Sequence, residues 1–483
     1  MSKNYLPILY STTLLFAVLA FTSKHNHGKL ITNQKDTTAP YVYRAKDHLG
    51  RNVVSKNGVI TFATGLENDY YHLDSSNRIV HFYIETSLSK FLNKRAGRIP
   101  LNVSIVIDRS GSMQGIKLGN AKRAAKNIID QLNAEDIVSI VIYDNDIDTI
   151  QGPLHVVDKE KIKSKIDMIT ARASTNLWGG TEQGYTFVNK NFDPGYVNRV
   201  LLISDGLANV GVTDSTLIRI KVQKWKDNQG ISLSTFGVGL DYNETLMTDM
   251  AETGAGNYYF IDAPGKMTTM FNNELNGLLN VAAQNAELKI TVPKGVTVVK
   301  GYPLKFQQDS NEIKVKLRDL SSEETKATLF TFKIDDKTKE PLKFRTVLSY
   351  TDVTDGQQKT LTNENSLNPV KNVDAFLTHY NRKVIEQTIL FTSNENLEIA
   401  MNLVDNGQYN AARKYLNQNR EYLRMNAAYV KGNNDGVLVE MDSLNTRYLT
   451  QSQSFNSINA DSLKALKKSM RASNYQLRNK KQK

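Results

Sequence analysis

Between residues 97 and 283 the chain alternates short, wholly apolar runs with amphipathic segments, and no other feature limits its fold as strongly. LNVSIVI (101–107) and VNRVLLISDG (197–206) leave no face for solvent, and DIVSIVIYD and ISLSTFGVG are of the same kind. Strands buried on both faces belong to mostly parallel sheets with helices packed above and below. The intervening segments supply those helices. In GIKLGNAKRAAKNIIDQL, Ile116, Leu118, Ala121, Ala125, Ile128, Ile129 and Leu132 recur at helical spacing. A last amphipathic helix over 265–283 closes the unit. Functional groups in such sheets gather at the carboxyl ends of the strands, and Asp108 and Asp205 both stand at ends of that kind.

On either side the period falls to two. GVITFATG and RIVHFYIETSLSKF lie within 41–96, and ELKITVP, VTVVKGYPL, EIKVKL, TLFTFKI and KFRTVLSYTDV lie within 284–362. They read as antiparallel strands of a β-sandwich of about five to seven strands. The α/β unit at 97–283 is then inserted in, or flanked by, that sandwich. Residues 363–483 read as a C-terminal helical segment with a basic tail. Within it, AMNLVDNGQYNAARKYL has the pattern of one helical hairpin, a cap and not a peptide groove.

At 483 residues the chain exceeds what one core can organise. Its net charge of +12 does not make it a nucleic-acid binder. Residues 464–483 hold eight Lys or Arg and no acid, so most of the excess sits in the tail, and no basic and aromatic surface motif appears elsewhere. Lys3 followed by the apolar run Leu6–Phe21 predicts a signal peptide or N-terminal anchor at 1–23, with a polar linker at 24–40. The expectation is export to the periplasm, envelope or exterior, with membrane association through that segment. With one apolar stretch, an ion channel is disfavoured. The absence of cysteine excludes disulfides and zinc-thiolate sites.

The chemistry concentrates in IVIDRSGSMQG. A carboxylate and two hydroxyls at the end of a buried strand read as a nucleophile, as caps of the next helix, or as hard-oxygen ligands for a cation such as Mg²⁺. The hydrolase reading lacks G-x-S-x-G, and none of the seven histidines stands in a motif. A P-loop is absent, and an aspartate phosphotransferase would have a second carboxylate where Ser110 stands. Asp144, Asp146 and Asp148 in YDNDIDT lack the glycine and distal glutamate of a calcium loop, and read as an exposed hairpin. Further donors stand in ASTNLWGG, with Thr175, and in LLISDG, with Asp205.

In this order Asp108, Ser110, Ser112, Thr175 and Asp205 match the five-part metal-ion-dependent adhesion site of von Willebrand factor A (VWA) domains, and the chain resembles that family over 97–283. PLNVSIVIDRSGSMQGIKL and VNRVLLISDGLANVG resemble a bacterial branch of exported VWA proteins often labelled Ca-activated chloride-channel-like. The resemblance implies a Rossmann-like domain that is not an enzyme. Ser110, Ser112 and Thr175 would hold Mg²⁺ (or Mn²⁺ or Ca²⁺) through hydroxyls, Thr175 directly or through water. Asp108 and Asp205 would act mainly through bridging waters. An Asp or Glu carboxylate of a partner protein would complete the shell. The rival readings are a scaffold subunit of an envelope assembly and, behind it, a metal-dependent hydrolase. Trp178 stands beside Thr175, at the rim of that face or in the core, and Asn209 either reaches the face or shapes its turn.

Overall fold

The computed structural model describes residues 49–478 apart from 77, 91–98, 173, 206–207, 241, 262–265, 318, 432–434, 454 and 456–458. The leader at 1–23, the linker at 24–40 and the last five residues of the basic tail lie outside the described residues. Four strands come first: β1 (Val53–Asn57), β2 (Ile60–Leu66), β3 (Tyr70–His72) and β4 (Ile79–Leu88).

The α/β unit follows as β5 (Leu101–Asp108), α1 (Ile116–Gln131), β6 (Ile137–Tyr143), β7 (Ile147–His155), α2 (Lys159–Asp167), α3 (Leu177–Lys190), β8 (Val197–Ser204), α4 (Ser215–Gln229), β9 (Ser232–Val238), α5 (Glu244–Thr253), β10 (Ala255–Ile261) and α6 (Lys266–Leu279). Its sheet runs β10-β9-β8-β5-β6-β7, parallel throughout except for β7. The apolar runs are explained by burial on both faces. Leu101, Val103, Ile105 and Ile107 pack with residues of α1, α2 and α6, while Val106 packs with residues of α3, α4 and α5. Helix α3 lies very close to the sheet. A Cβ at Gly180 would come within 2.3 Å of the Tyr143 ring, and one at Gly184 within 2.6 Å of Val106. Only glycine permits that approach, and it fixes where the loop before α3 ends.

The remaining strands are β11 (Val281–Thr291), β12 (Val296–Tyr302), β13 (Gln307–Asp309), β14 (Glu312–Lys316), β15 (Leu320–Ser321), β16 (Thr325–Ile334), β17 (Leu342–Asp352) and β18 (Gln358–Val370). With β1–β4 they form a five-stranded sheet, β1-β2-β4-β16-β12, and a seven-stranded sheet, β13-β14-β11-β17-β18-β3 with β15 on β11. Antiparallel pairing of β4 with β16, Phe82 opposite Phe330, joins strands from both sides of the insert. The two sheets close on one core, with Phe62, Phe82, Phe330 and Phe332 from one and Ile290, Val315, Phe344 and Leu348 from the other. The sandwich exceeds the expected strand number because β3, β13 and β15 are only two or three residues long, β1 (VVSKN) is only half-buried, and β18 turns asparagines inward.

Two expected boundaries move. β11 begins at Val281, inside the predicted last helix, where VAAQ continues the apolar pattern of α6 without a break. β18 runs eight residues past 362, to Val370. Its inward positions there include Asn363 and Asn365, which hid the period of two. Asn363 Nδ2 donates to Phe62 O at 3.1 Å, and Asn365 Oδ1 accepts from Thr64 Oγ1 at 2.6 Å.

The C-terminal helices are α7 (Val373–Thr378), α8 (Arg382–Asp405), α9 (Tyr409–Val430), α10 (Asp435–Ser452) and α11 (Ala460–Arg478). α8 turns into α9 at Gly407 (φ +72°), and its Val384 and Phe391 cover Tyr83, Ala327 and Leu329 on the outer face of the five-stranded sheet. The basic segment is an ordered helix docked on the α/β unit. Lys468 Nζ donates to Tyr242 O at 3.1 Å, and the Tyr475 and Tyr258 rings meet edge-on at 5.5 Å. Among the described residues no helix is long and apolar enough to cross a membrane.

Candidate metal and ligand site

Asp108 ends β5 with its side chain fully buried (0% exposed). A carboxylate so placed needs donors. Ser110 N–H donates to Oδ1 at 2.8 Å, and Ser204 Oγ, at the end of β8, donates to Oδ2 at 2.6 Å. Burial nevertheless pushes the Asp108 carboxyl up to about 6; those donors oppose the rise and the Asp205 charge adds to it. Among the described residues Asp108 forms no ion pair.

Beyond Asp108 the chain turns through a single 3-10 turn, Gly111–Met113, with Met113 sunk into the core. Gly115 (φ +81°) caps α1 with no side-chain bond. The capping reading of the serines therefore fails, since neither hydroxyl serves a helix N–H. Ser110 Oγ lies 3.1 Å from Ser112 Oγ, and Ser112 Oγ donates to Asp205 Oδ1 at 2.8 Å. Ser110 and Asp205 are buried, whereas Ser112 is exposed. Ser112 thus stands at the surface, with the Ser110 hydroxyl and the carboxylates of Asp108 and Asp205 buried beneath it.

Thr175 is buried on the loop before α3, and it joins the site through its backbone. Its N–H donates to Asn209 Oδ1 at 2.9 Å, and its carbonyl accepts from Asn209 N at 3.1 Å. Arg172 N–H donates to Arg109 O at 2.7 Å, which ties the same loop to the serine turn. Asn209 therefore holds the backbone of Thr175 through two hydrogen bonds. Trp178 is in the core and not at the rim. It is 2% exposed among Tyr143, Leu177 and Tyr185, because α3 turns that side toward the sheet.

Two cations were missed in the sequence. Arg109 Nε sits 2.7 Å from Asp144 Oδ2, and a second Arg109 nitrogen meets Asp148. YDNDIDT is indeed the β6–β7 hairpin, but Asp144 is buried beneath that guanidinium instead of exposed. The alternating aspartates beside an arginine in the D-R-S-G-S turn were the available signal. Lys117, in the first turn of α1, places Nζ on Asp205 Oδ2.

The residues fit a small hard cation on two observations. The first is the donor set: hydroxyls and carboxylates, the chemistry that Mg²⁺ and Mn²⁺ prefer. Their separations of 3.1 and 2.8 Å match hydrogen bonds, and they also match the spacing of about 3 Å between neighbouring oxygens around an octahedral ion of Mg²⁺ size. The second is charge: of two buried carboxylates, only Asp205 meets an ammonium. Among the described residues no three His, Asp or Glu side chains gather as ligands, so a cation here depends on the hydroxyls.

Residues 102–273 match the family described as von Willebrand factor type A domain, and the α/β unit is a VWA domain. Its relatives include the uncharacterized protein YfbK of Escherichia coli (strain K12), 35% identical over 191 residues, which make up 39% of this chain and 33% of YfbK. Inter-alpha-trypsin inhibitor heavy chain H2 of Sus scrofa is 31% identical over 186 residues, 37% of this chain and 19% of that protein. The likeness therefore spans a third or less of either relative. Two solved structures share the wider architecture. A von Willebrand factor type A protein from Catenulispora acidiphila superposes with a TM-score of 0.62 at 15% identity, covering 83% of this chain and 92% of the other. The ArnB paralog VWA2 from Sulfolobus acidocaldarius gives 0.56 at 17% identity, covering 86% of this chain and 99% of the other. These likenesses show the fold: a mostly parallel VWA sheet with helices, antiparallel sheets and C-terminal helices.

Proposed function

We propose that this VWA domain protein binds another protein, without catalysis, at the carboxyl end of its α/β sheet. Ser110, Ser112 and Thr175 would hold a divalent cation through hydroxyls, with Asp108 and Asp205 behind them. Mg²⁺ suits the donors best, and Mn²⁺ and Ca²⁺ share their chemistry. The observation that carries this reading is the convergence of Ser110, Ser112 and Asp205 at one point, with Ser112 open to the surface. When bound, the cation supplies an electrophilic position for an Asp or Glu carboxylate of the partner.

The chain's own residues make that position usable. Asp108 sets the turn through Ser110 N–H, Arg109 locks it to Asp144, and Asn209 fixes the loop carrying Thr175. Neutral hydroxyls leave positive charge for the partner's carboxylate. No histidine contacts Ser110 or Ser112 among the described residues, which supports recognition over hydrolysis, as does the usually non-catalytic character of VWA domains. The apolar run Leu6–Phe21 supports an exported, envelope-associated protein of the bacterial branch that the motif resembles, and the charge distribution supports a protein partner over nucleic acid.

The test is capture of envelope proteins on the immobilised chain in Mg²⁺ and in EDTA, with Ser110→Ala/Ser112→Ala as control. Partner capture that needs Mg²⁺ and vanishes in the variant is expected. Equal capture under all conditions refutes the reading and favours a scaffold.

A further inference from the structure

Lys117 stands where helix electrostatics disfavour a cation. It occupies the first turn of α1, at the positive end of the helix dipole, and no acidic residue stands in that turn. Its ammonium instead contacts Asp205 Oδ2, on a carboxylate that is 0% exposed. The lysine stem runs over Gly239 (φ +77°), where a Cβ would come within 3.1 Å of Lys117 Cε. That glycine leaves the arm its path across the β9–α5 loop. The lysine side chain remains 29% exposed, so its outer end has a route to solvent.

We propose that Lys117 is a tethered substitute for the metal ion, occupying the charge of the site when no cation is bound and withdrawing when one enters. This rests on the metal-binding reading above. The reasoning is electrostatic. Asp108 and Asp205 are buried together, and neutralising one of them lets the empty site stay folded. Ser112 donates to the other oxygen of the same Asp205 carboxylate, so a dication among Ser110, Ser112 and Asp205 would sit within a few ångströms of the ammonium. Two positive charges at that distance repel even where the site is partly solvated. The flexible four-carbon stem makes departure cheap. Lys117 then lowers metal affinity and raises metal-free stability in one act.

The experiment uses the full chain, Mg²⁺ alone as probe, and three variants: Lys117→Met, which keeps the stem, Lys117→Arg, which keeps the charge, and Ser110→Ala/Ser112→Ala. Mg²⁺ affinity is read by titration calorimetry, and thermal unfolding is followed in EDTA and in Mg²⁺. Lys117→Met should bind Mg²⁺ about tenfold tighter or more. It should also melt earlier than the parent in EDTA and regain that loss in Mg²⁺, while Lys117→Arg stays close to the parent. Mg²⁺ binding that the serine variant abolishes but Lys117→Met leaves unchanged or weaker overturns the role of Lys117 alone. Absence of Mg²⁺ binding in both the parent and Lys117→Met overturns the metal reading and this inference with it.

Discussion

Ser112 Oγ donates to Asp205 Oδ1 at 2.8 Å across 93 residues of sequence, joining the loop after β5 to the end of β8. The donor lies at the surface, and Asp205 keeps its contact with Lys117 if the hydroxyl is lost. Ser112→Ala alone should therefore cost about 1 kcal/mol of stability or less by urea unfolding. Metal-dependent capture should nevertheless disappear. A large fall in stability would show that the hydroxyl is chiefly structural.

Arg109 should matter far more to folding than its position within the turn suggests. Arg109→Met leaves the buried Asp144 carboxylate with only the more distant Arg172, 3.9 Å away, and breaking a buried pair costs about 3–5 kcal/mol, the lower end applying here. Adding Asp144→Asn removes the stranded charge and should restore part of the loss. Denaturant curves of the parent, the two single variants and the double variant measure that recovery. Strictly additive losses would mean the pair is uncoupled.

Trp178 and Trp225 are the only tryptophans in the chain, which makes the location of Trp178 easy to check. In Trp225→Phe the remaining emission should be that of a buried indole: blue-shifted, weakly quenched by acrylamide, and unmoved by partner binding. Strong quenching, relieved by the partner, would return Trp178 to the rim. Trp178→Ala should destabilise the chain by about 3–5 kcal/mol as a core truncation.

The dock between α11 and the VWA domain predicts a pH effect. Burial pushes Glu244 up to about 7 from an ordinary 4.5, opposed by the charges of Lys468 and Arg471 and by the Tyr258 hydroxyl, with Asp405 adding to the rise. A carboxyl raised by folding favours the folded state while protonated. Its contribution is complete below pH 4.5 and is lost as the pH climbs through about 7. The parent should lose on the order of 3 kcal/mol over that window relative to Glu244→Gln. Parallel stability curves for the two proteins would refute this.

The α/β order could be read in advance because strands buried on both faces must be apolar at every position, as in LNVSIVI, and few other folds tolerate such runs. The serine turn was legible for a similar reason, since three oxygens ending such a strand need a purpose. Other features depended on partners distant in sequence. Asn363 and Asn365 look like turn residues until Phe62 and Thr64 meet them across the sandwich. Lys117 looks like one more surface lysine of a helix until Asp205 arrives 88 residues later. Trp178 was ambiguous because helical periodicity does not say how closely α3 approaches its sheet, and Gly180 and Gly184 settle that only in three dimensions.

The insertion of the VWA domain has a mechanical consequence. The strand before it, β4, belongs to one sheet of the sandwich, and the strand after it, β11, belongs to the other. A tug on the serine turn would divide between two plates that share a single interior, so neither could peel away strand by strand while the other held. If the serine turn holds a partner, as proposed, that mounting is suited to traction.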